Sequence, residues 1–357
     1  RRGRARQRQA DLGGRPDRSR EAIRLSEDAY AKAGVSQGDA DAAVASLVSA
    51  LAASPAAQTR QVLASGHYAN VVRLDDRTGI ALSADGVGTK LVLAEQLGRW
   101  DTVGIDCVAM NANDVVCVGA EPLAMVDYLA VDRADPEVAG AIGVGLARGA
   151  ELAGIEIVGG ELAQLGEIIN GLDLAGACFG VVALDSLVTG ASIEPGDPVL
   201  GLPSSGLHSN GYTLARSVLG GIADDDDRLG RPLGEVLLQP TEIYVKPIVD
   251  LLRSSVDVRG MAHITSGGLN NLLRLDAEVA YEIDDPLPIP PIFGLIQELG
   301  EVSDEEMHEV FNMGCGFCLV VAPADEDAAL SRLRERYPEA QRIGQAADGP
   351  PAVTRTG

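Results

Sequence analysis

Aromatic residues are scarce in this sequence: Phe, Tyr and Trp make up 3% of 357 residues. Its cores must therefore be built from Val, Leu, Ile and Ala, within an apolar fraction of 46% that is ordinary for globular domains. Lysine is nearly absent: Lys32, Lys90 and Lys246 are the full set, and Arg supplies the other cations. No apolar run approaches the ~20 residues that a membrane-crossing helix needs, and none opens the chain as a secretory leader would. Cysteine is sparse and odd in number, five residues with scattered spacing, which is no disulfide framework. Cys315 and Cys318 do form a C-x-x-C, but no second pair stands nearby to complete a zinc site. They read as two small apolar residues of a Gly-rich strand.

Positive charge is also short. The formal net charge is −23, although residues 1–20 carry eight Arg against two Asp and read as a disordered basic tail. So acidic a body repels nucleic acid and anionic membranes, and neither is expected as a partner. A soluble cytoplasmic protein is expected instead. An anionic ligand would then need metal ions, backbone N–H groups or a few well-placed cations.

The length suggests two domains, here 21–188 and 189–357, with the boundary just before the turn-rich Ile193-Glu-Pro-Gly-Asp-Pro198. Both halves mix strands and helices, an α/β class. In the first half, 21–64 reads as helical, Thr78–Ala84 as a strand, Thr89–Leu97 and Ile105–Cys117 as helices, and Leu123–Val131 as a strand. Pro136–Leu152 reads as a helix, Ile155–Val158 as a short strand and Leu172–Leu184 as a longer one. The second half alternates similarly, with a helix expected over Glu242–Leu252.

Five polar segments stand out. Asp85-Gly-Val-Gly-Thr-Lys90 lies between a strand and a helix. Gly86 and Gly88 let backbone N–H groups approach an anion, and the helix opening at Thr89 adds its positive dipole end. Lys90 offers a point charge and Asp85 a metal ligand. It is not a Walker A loop, because the order is Gly-Thr-Lys. In the next helix Asp106 and Asn113 are seven apart and share one face, while Asn111, Asn113 and Asp114 crowd its apolar end. Asp114 could take Mg²⁺ together with Asp85, since such sites use one or two carboxylates plus phosphate oxygens and water. Glu161 follows a Gly pair at a strand end and is a further metal candidate. Ser204-Ser-Gly-Leu-His-Ser-Asn-Gly-Tyr212 and His263-Ile-Thr-Ser-Gly-Gly-Leu269 are hydroxyl-rich, Gly-rich loops of one design, each holding a His, and read as substrate cradles.

Taken in order, these segments resemble the phosphoribosylformylglycinamidine cyclo-ligase (aminoimidazole ribonucleotide synthetase) family. Gly119-Ala-Glu-Pro122, Asp127-Tyr128, Pro240-Thr-Glu-Ile-Tyr-Val-Lys246 and Phe311-Asn-Met-Gly314 add to the likeness, which spans roughly residues 28 to 345. The resemblance implies two α/β domains, the first pairing in a homodimer to form a barrel between subunits. It implies ATP-dependent closure of an imidazole ring in purine biosynthesis, with Mg²⁺, on formylglycinamidine ribonucleotide. By the same resemblance the nucleotide site draws on Asp85, Gly86, Gly88, Thr89, Lys90, Asp106, Asn113 and Asp114, with Asp85, Asp114 and Glu161 for metal. Ser205, Gly206, His208, Ser209, Asn210, Gly211, Thr265, Gly267 and Gly268 would hold the substrate. Lys90, His208 and His263 are the catalytic candidates. The chain departs from the family in three places. One Gly stands in Val62–Ala69 where many members carry a glycine run. Leu162-Ala-Gln164 replaces Thr-Ala-Glu after Gly159-Gly-Glu161. Ala31 stands where Lys often follows the residue that is Tyr30 here. A paralogous ATP-dependent kinase or synthetase with another small substrate, and a non-catalytic nucleotide-binding dimer, are the alternative readings.

Overall fold

The computed structural model describes residues 37–52, 60–63, 66–220 and 223–356. The expected basic tail and the Tyr30–Lys32 segment lie outside the described residues. So does much of the expected helix over 21–64, of which Gln37–Ala52 (α1) is helical, while Gln61 bridges to Val72 in extended form.

The first sheet is built from Asn70–Arg73 (β1), Thr78–Gly86 (β2), Glu121–Val131 (β3), Glu156–Gln164 (β4) and Leu172–Ala183 (β5), in the order β1-β2-β5-β3-β4. Lys90–Leu97 (α2), Val103–Cys117 (α3) and Pro136–Ala153 (α4) accompany it. The ends of α4 follow from local chemistry. Asp135 caps its start by accepting from the Glu137 and Val138 amides, Pro136 sits where no amide partner is needed, and Gly154 closes it at φ +75°. The strand expected to end at Val158 runs on to Gln164. Gly160 permits this, because the Asp127 carboxylate of β3 occupies the place where its Cβ would stand, at 2.3 Å.

The second sheet has the order β11-β8-β10-β6-β9-β7. Its strands are Pro198–Pro203 (β6), Val258–His263 (β7), Ala280–Ile283 (β8), Cys315–Val321 (β9), Gln341–Ala347 (β10) and Ala352–Arg355 (β11). Tyr212–Leu219 (α5), Leu233–Leu237 (α6), Val245–Leu252 (α7), Pro291–Gly300 (α8), Asp304–Val310 (α9) and Glu326–Leu333 (α10) complete it, with a 3₁₀ turn over Gly268–Arg274. The helix expected from Glu242 begins at Val245 instead. Residues 240–244 form no helix, because their backbone groups bond to side chains of the first half. Every residue of β9 is buried, which suits a strand between two others, and all five cysteines are free thiols.

α3 joins the two halves. It packs on β2 and β5 of the first sheet and on β7 and α7 of the second, and of its residues all but Ile105 are buried. A helix so enclosed should be apolar all round. Asp106, Asn111, Asn113 and Asp114 break that rule, so each must find a partner. Among the described residues no helix is long and apolar enough to cross a membrane.

α3 and α4 cross at glycines. A Cβ on Gly104 would lie 2.2 Å from the Leu146 amide nitrogen, whereas one on Gly140 would meet nothing within 4 Å. Gly104→Ala is therefore expected to push the helices apart and destabilise the protein by about 3 kcal/mol or more. Gly140→Ala, in the same fold, should stabilise it by up to about 1 kcal/mol through helix propensity. Denaturant unfolding of the two variants checks both signs.

Candidate active site

Lys90 opens α2 with its side chain turned inward and fully buried. Its ammonium lies 3.0 and 2.8 Å from the two Asp106 oxygens, and it donates to the His208 carbonyl at 3.1 Å and the Gln239 carbonyl at 2.7 Å. An ammonium has three donors, and these partners use all three. Burial lowers the Lys90 pKa, and the neighbouring Asp106 charge opposes that. Asp106 also accepts from the Thr241 amide and hydroxyl, both at 2.7 Å. One turn pair along the same face, Asn113 donates to the Glu242 carbonyl at 2.9 Å and accepts from the Tyr244 amide at 2.9 Å. Lys90, Asp106 and Asn113, expected at the cofactor, thus bind the backbone of 208 and 239–244 instead. The shared face of Asp106 and Asn113 is real, but its ligand is the second domain.

His263, at the end of β7, is likewise buried. Asn113 Nδ2 lies 3.4 Å from its Nε2. An amide N–H only donates, so the ring proton sits on Nδ1, 2.9 Å from Asp114 Oδ1. His208 adopts φ +61°, and its Nε2 accepts from the Ser205 amide at 3.2 Å. Its proton is then on Nδ1, which finds no partner among the described residues. Burial first, and neighbouring positive charge next, pull the His208 pKa well below the usual imidazole value. Neither ring is placed as a solvent-facing base. His263 orients Asp114, and His208 forms the corner on which Lys90 rests.

The carboxylates divide into two groups. Asp85 ends β2, where Asn111 accepts from its amide at 2.9 Å and donates to its carbonyl at 3.0 Å. Its carboxyl pKa is raised, by burial and then by the charge of Asp114. Two carboxylates that repel each other in a partly dry site form a place for a cation. Glu161 is not part of it. It pairs with Tyr128, which pairs with Ala175, which pairs with Gly86. It therefore stands three strands from β2, about 14 Å away, one row off Asp85 and on the opposite sheet face. Asp127 shares the Asp85 row through Gly176 and lies on the same face; burial raises its pKa too. The sequence offered Asp127 only as a marker of resemblance. Among the described residues no cluster of three or more His, Cys, Asp or Glu is poised as a complete metal cage.

The remaining loops converge on the Gly86–Thr89 turn. Gly88, at φ +72°, faces the Ser209 carbonyl, and the Thr89 and Thr213 hydroxyls lie 3.2 Å apart. The Ser209 and Thr241 hydroxyls are 3.0 Å apart, and Ser266 donates to Asn210 at 3.2 Å. Ser205 donates to the Pro240 carbonyl and Gly206 accepts from Asn312. Gly211 cannot bear a Cβ against the Phe311 ring, nor Gly268 against the His308 carbonyl, and the Gly267 amide donates to the Glu309 carbonyl. Thr265 is fixed by Asn271. Exposed Thr89 and Ser266, with half-buried Ser209, Asn210, Thr213 and Thr265, line the open rim. Thr213, Thr241 and Asn271 escaped the sequence reading. Thr213 and Thr241 each lie in a segment that carries the family resemblance, Thr241 just ahead of the helix expected from Glu242.

Breaking the buried pair from one side leaves a bare charge. Lys90→Met and Asp106→Leu are each expected to cost about 3–5 kcal/mol, and the double variant clearly less than the sum. A double-mutant cycle in urea measures this; additive losses would contradict the pairing.

The model for the family "AIR synthase related protein, N-terminal domain" matches residues 66–182, and its C-terminal counterpart matches 194–355. The phosphoribosylformylglycinamidine cyclo-ligase of Methanothermobacter thermautotrophicus is 53% identical over 293 residues, 80% of this chain and 85% of that protein. The enzyme of that name from Pyrococcus furiosus is 48% identical, over 80% of this chain and 84% of its own. The solved structure described as "AaThiL complexed with AMPPCP and TMP" shares the fold at a TM-score of 0.63 and 16% identity, covering 87% of this chain and 92% of that one. With both family models spanning its two sheets and relatives near half identical over most of its length, the chain belongs to the AIR synthase family of phosphoribosylformylglycinamidine cyclo-ligases.

Proposed function

We propose that the chain closes the imidazole ring of aminoimidazole ribonucleotide from formylglycinamidine ribonucleotide, converting ATP to ADP and phosphate. The observation that carries this reading is the Asp85–Asp114 pair, held at the domain seam beside the Gly86–Thr89 turn and facing hydroxyl-lined loops from the second domain. An amide oxygen is a poor leaving group, and transfer of a phosphoryl group to it from ATP makes it a good one. The substrate's amine nitrogen then attacks that carbon, the C–O bond breaks with release of phosphate, and the nitrogen loses a proton. The protein's share is positioning and charge neutralisation.

Mg²⁺ suits the donor set. Two repelling carboxylates leave room for phosphate oxygens and water, which complete the coordination of this ion. Asp85 and Asp114 would hold it, with Asp127 in the same cross-strand row as Asp85, two strands away. Bound there, the ion would neutralise phosphate charge. Gly86, Gly88 and Thr89 would present backbone N–H groups to the nucleotide. Ser209, Asn210, Thr265 and Ser266 would hold the substrate. Lys90, Asp106, Asn113, His208 and His263 position these groups and are not contacts.

A homodimer is part of the reading. The face of the first sheet away from α3 leaves Leu82, Leu123, Val126, Tyr128, Val158 and Phe179 each between 36% and 57% exposed. So continuous an apolar face on a strongly acidic protein marks an interaction surface, and a second copy of the same face would form the barrel that the family resemblance implies. A cytoplasmic location follows from the proposed substrates.

The test is a coupled assay with ATP, Mg²⁺ and formylglycinamidine ribonucleotide, following ADP and aminoimidazole ribonucleotide. Equal amounts of both are expected; ADP without the imidazole product would point to a different acceptor. Asp85→Asn should abolish turnover. It should also raise the melting temperature of the ligand-free protein. The Asp85 pKa is higher folded than unfolded, so its ionised form destabilises the fold at neutral pH, and Asn removes that charge. Normal turnover by this variant would sink the metal assignment.

A further inference from the structure

A protein of net charge −23 that binds phosphates needs a cation at its site, and Lys90 is fully engaged inside the seam. Lys246 donates to the Glu151 carbonyl at the surface. Arg274 ends the 3₁₀ turn that follows the His263–Gly268 loop. Its guanidinium lies 4.0 Å from the centre of the Tyr68 ring. Nε donates to the Gly66 carbonyl and one terminal nitrogen, Nη2, to the His67 carbonyl, each at 3.1 Å. Around it the Tyr68 hydroxyl donates to the Asn271 carbonyl at 2.9 Å, and His67 lies 3.3 Å from Asp276. These contacts carry residues 66–68 from the edge of the first sheet onto the second domain. The guanidinium is thereby fixed in orientation, and among the described residues its second terminal nitrogen, Nη1, makes no bond.

Arg274 also acts on the carboxylate site. Burial and Asp114 raise the Asp85 pKa, and the Arg274 charge offsets part of that rise. The buried Tyr68 beneath the guanidinium feels the charges of both Arg274 and Asp114. The cation therefore lies near enough to the two carboxylates to act on them, opposite in sign, on the 3₁₀ turn whose Asn271 holds Thr265 and Ser266, with one donor edge uncommitted.

We propose that Arg274 is a phosphate-binding residue of this site, its free guanidinium edge taking an oxyanion of a bound substrate while its other donors pin residues 66–68 beside it. This rests on the functional reading above. Two phosphates meet the description, the polyphosphate of ATP and the 5′-phosphate of the ribonucleotide substrate. A planar fork suits either.

The experiment is calorimetric titration of the full-length protein with Mg·ATP and, separately, with formylglycinamidine ribonucleotide, for wild type, Arg274→Gln and Arg274→Lys. Gln keeps a donor for a strap carbonyl but loses the charge. It should weaken one ligand by about tenfold to a hundredfold and leave the other near its wild-type affinity. Lys, which keeps the charge, should recover part of the loss. The ligand that weakens names the phosphate. Should Gln fail to fold, Lys still decides: affinity for both ligands equal to that of the wild type, in a site where the fork geometry matters, would overturn the assignment. Unchanged affinities in a folded Gln variant would overturn it too and leave the functional reading intact. Wild-type protein that binds neither ligand would sink both.

Discussion

The buried pair of Lys90 and Asp106 is the constraint on which the rest of the structure depends. Removing two charges from water is expensive, and such a pair persists only where further hydrogen bonds satisfy it. Here every one of those further bonds comes from the second domain: the carbonyls of His208 and Gln239 on the lysine, and the amide and hydroxyl of Thr241 on the aspartate. The pair belongs to the first domain and its solvation to the second, so neither half can keep its charges paired and satisfied alone. Asn113 repeats the arrangement on the same helix face with Glu242 and Tyr244.

This seam decides what the loops can do. By tying 239–244 to α3 it sets the Ser209 loop against Gly88 and brings His263 within reach of Asp114. Asp85 is left next to Asp114 with its carboxyl pKa raised. The repulsion is a local cost to stability and the means by which the site attracts a cation, a common trade at functional sites. Lys90, Asp106, Asn113, His208 and His263 hold the groups that face the cleft, as expected of an enzyme whose chemistry rests on orientation and charge neutralisation rather than on a protein nucleophile.

Much of the fold was legible because its signals are local. The Asp135–Pro136 start and Gly154 end of α4, and the strand–glycine–helix run through Asp85 to Lys90, can be read from a few adjacent residues. The site was half legible. The sequence named the polar residues of α3 and the two His loops, and even the common face of Asp106 and Asn113. It gave no hint that Lys90, Asp106 and Asn113 bond to the backbone of the second domain, because a buried lysine and an exposed one look alike in a sequence, and what a carboxylate meets depends on what packs against it. Glu161 failed for a different reason: strand register alone put it on the far face. Arg274 and Tyr68 lie 206 positions apart and meet only through the folded seam, so no local pattern could have joined them.

The central claim is that the two halves form one body through the polar face of α3. Native-state hydrogen exchange of the Thr241 and Tyr244 amides tests it most directly, since these two groups donate to Asp106 and Asn113. The account predicts that both exchange only through global unfolding, with the same opening free energy as amides in the middle of β9. Exchange through a local opening several kcal/mol below that level would mean that the seam breathes independently, and that the site is assembled by ligands rather than built into the fold.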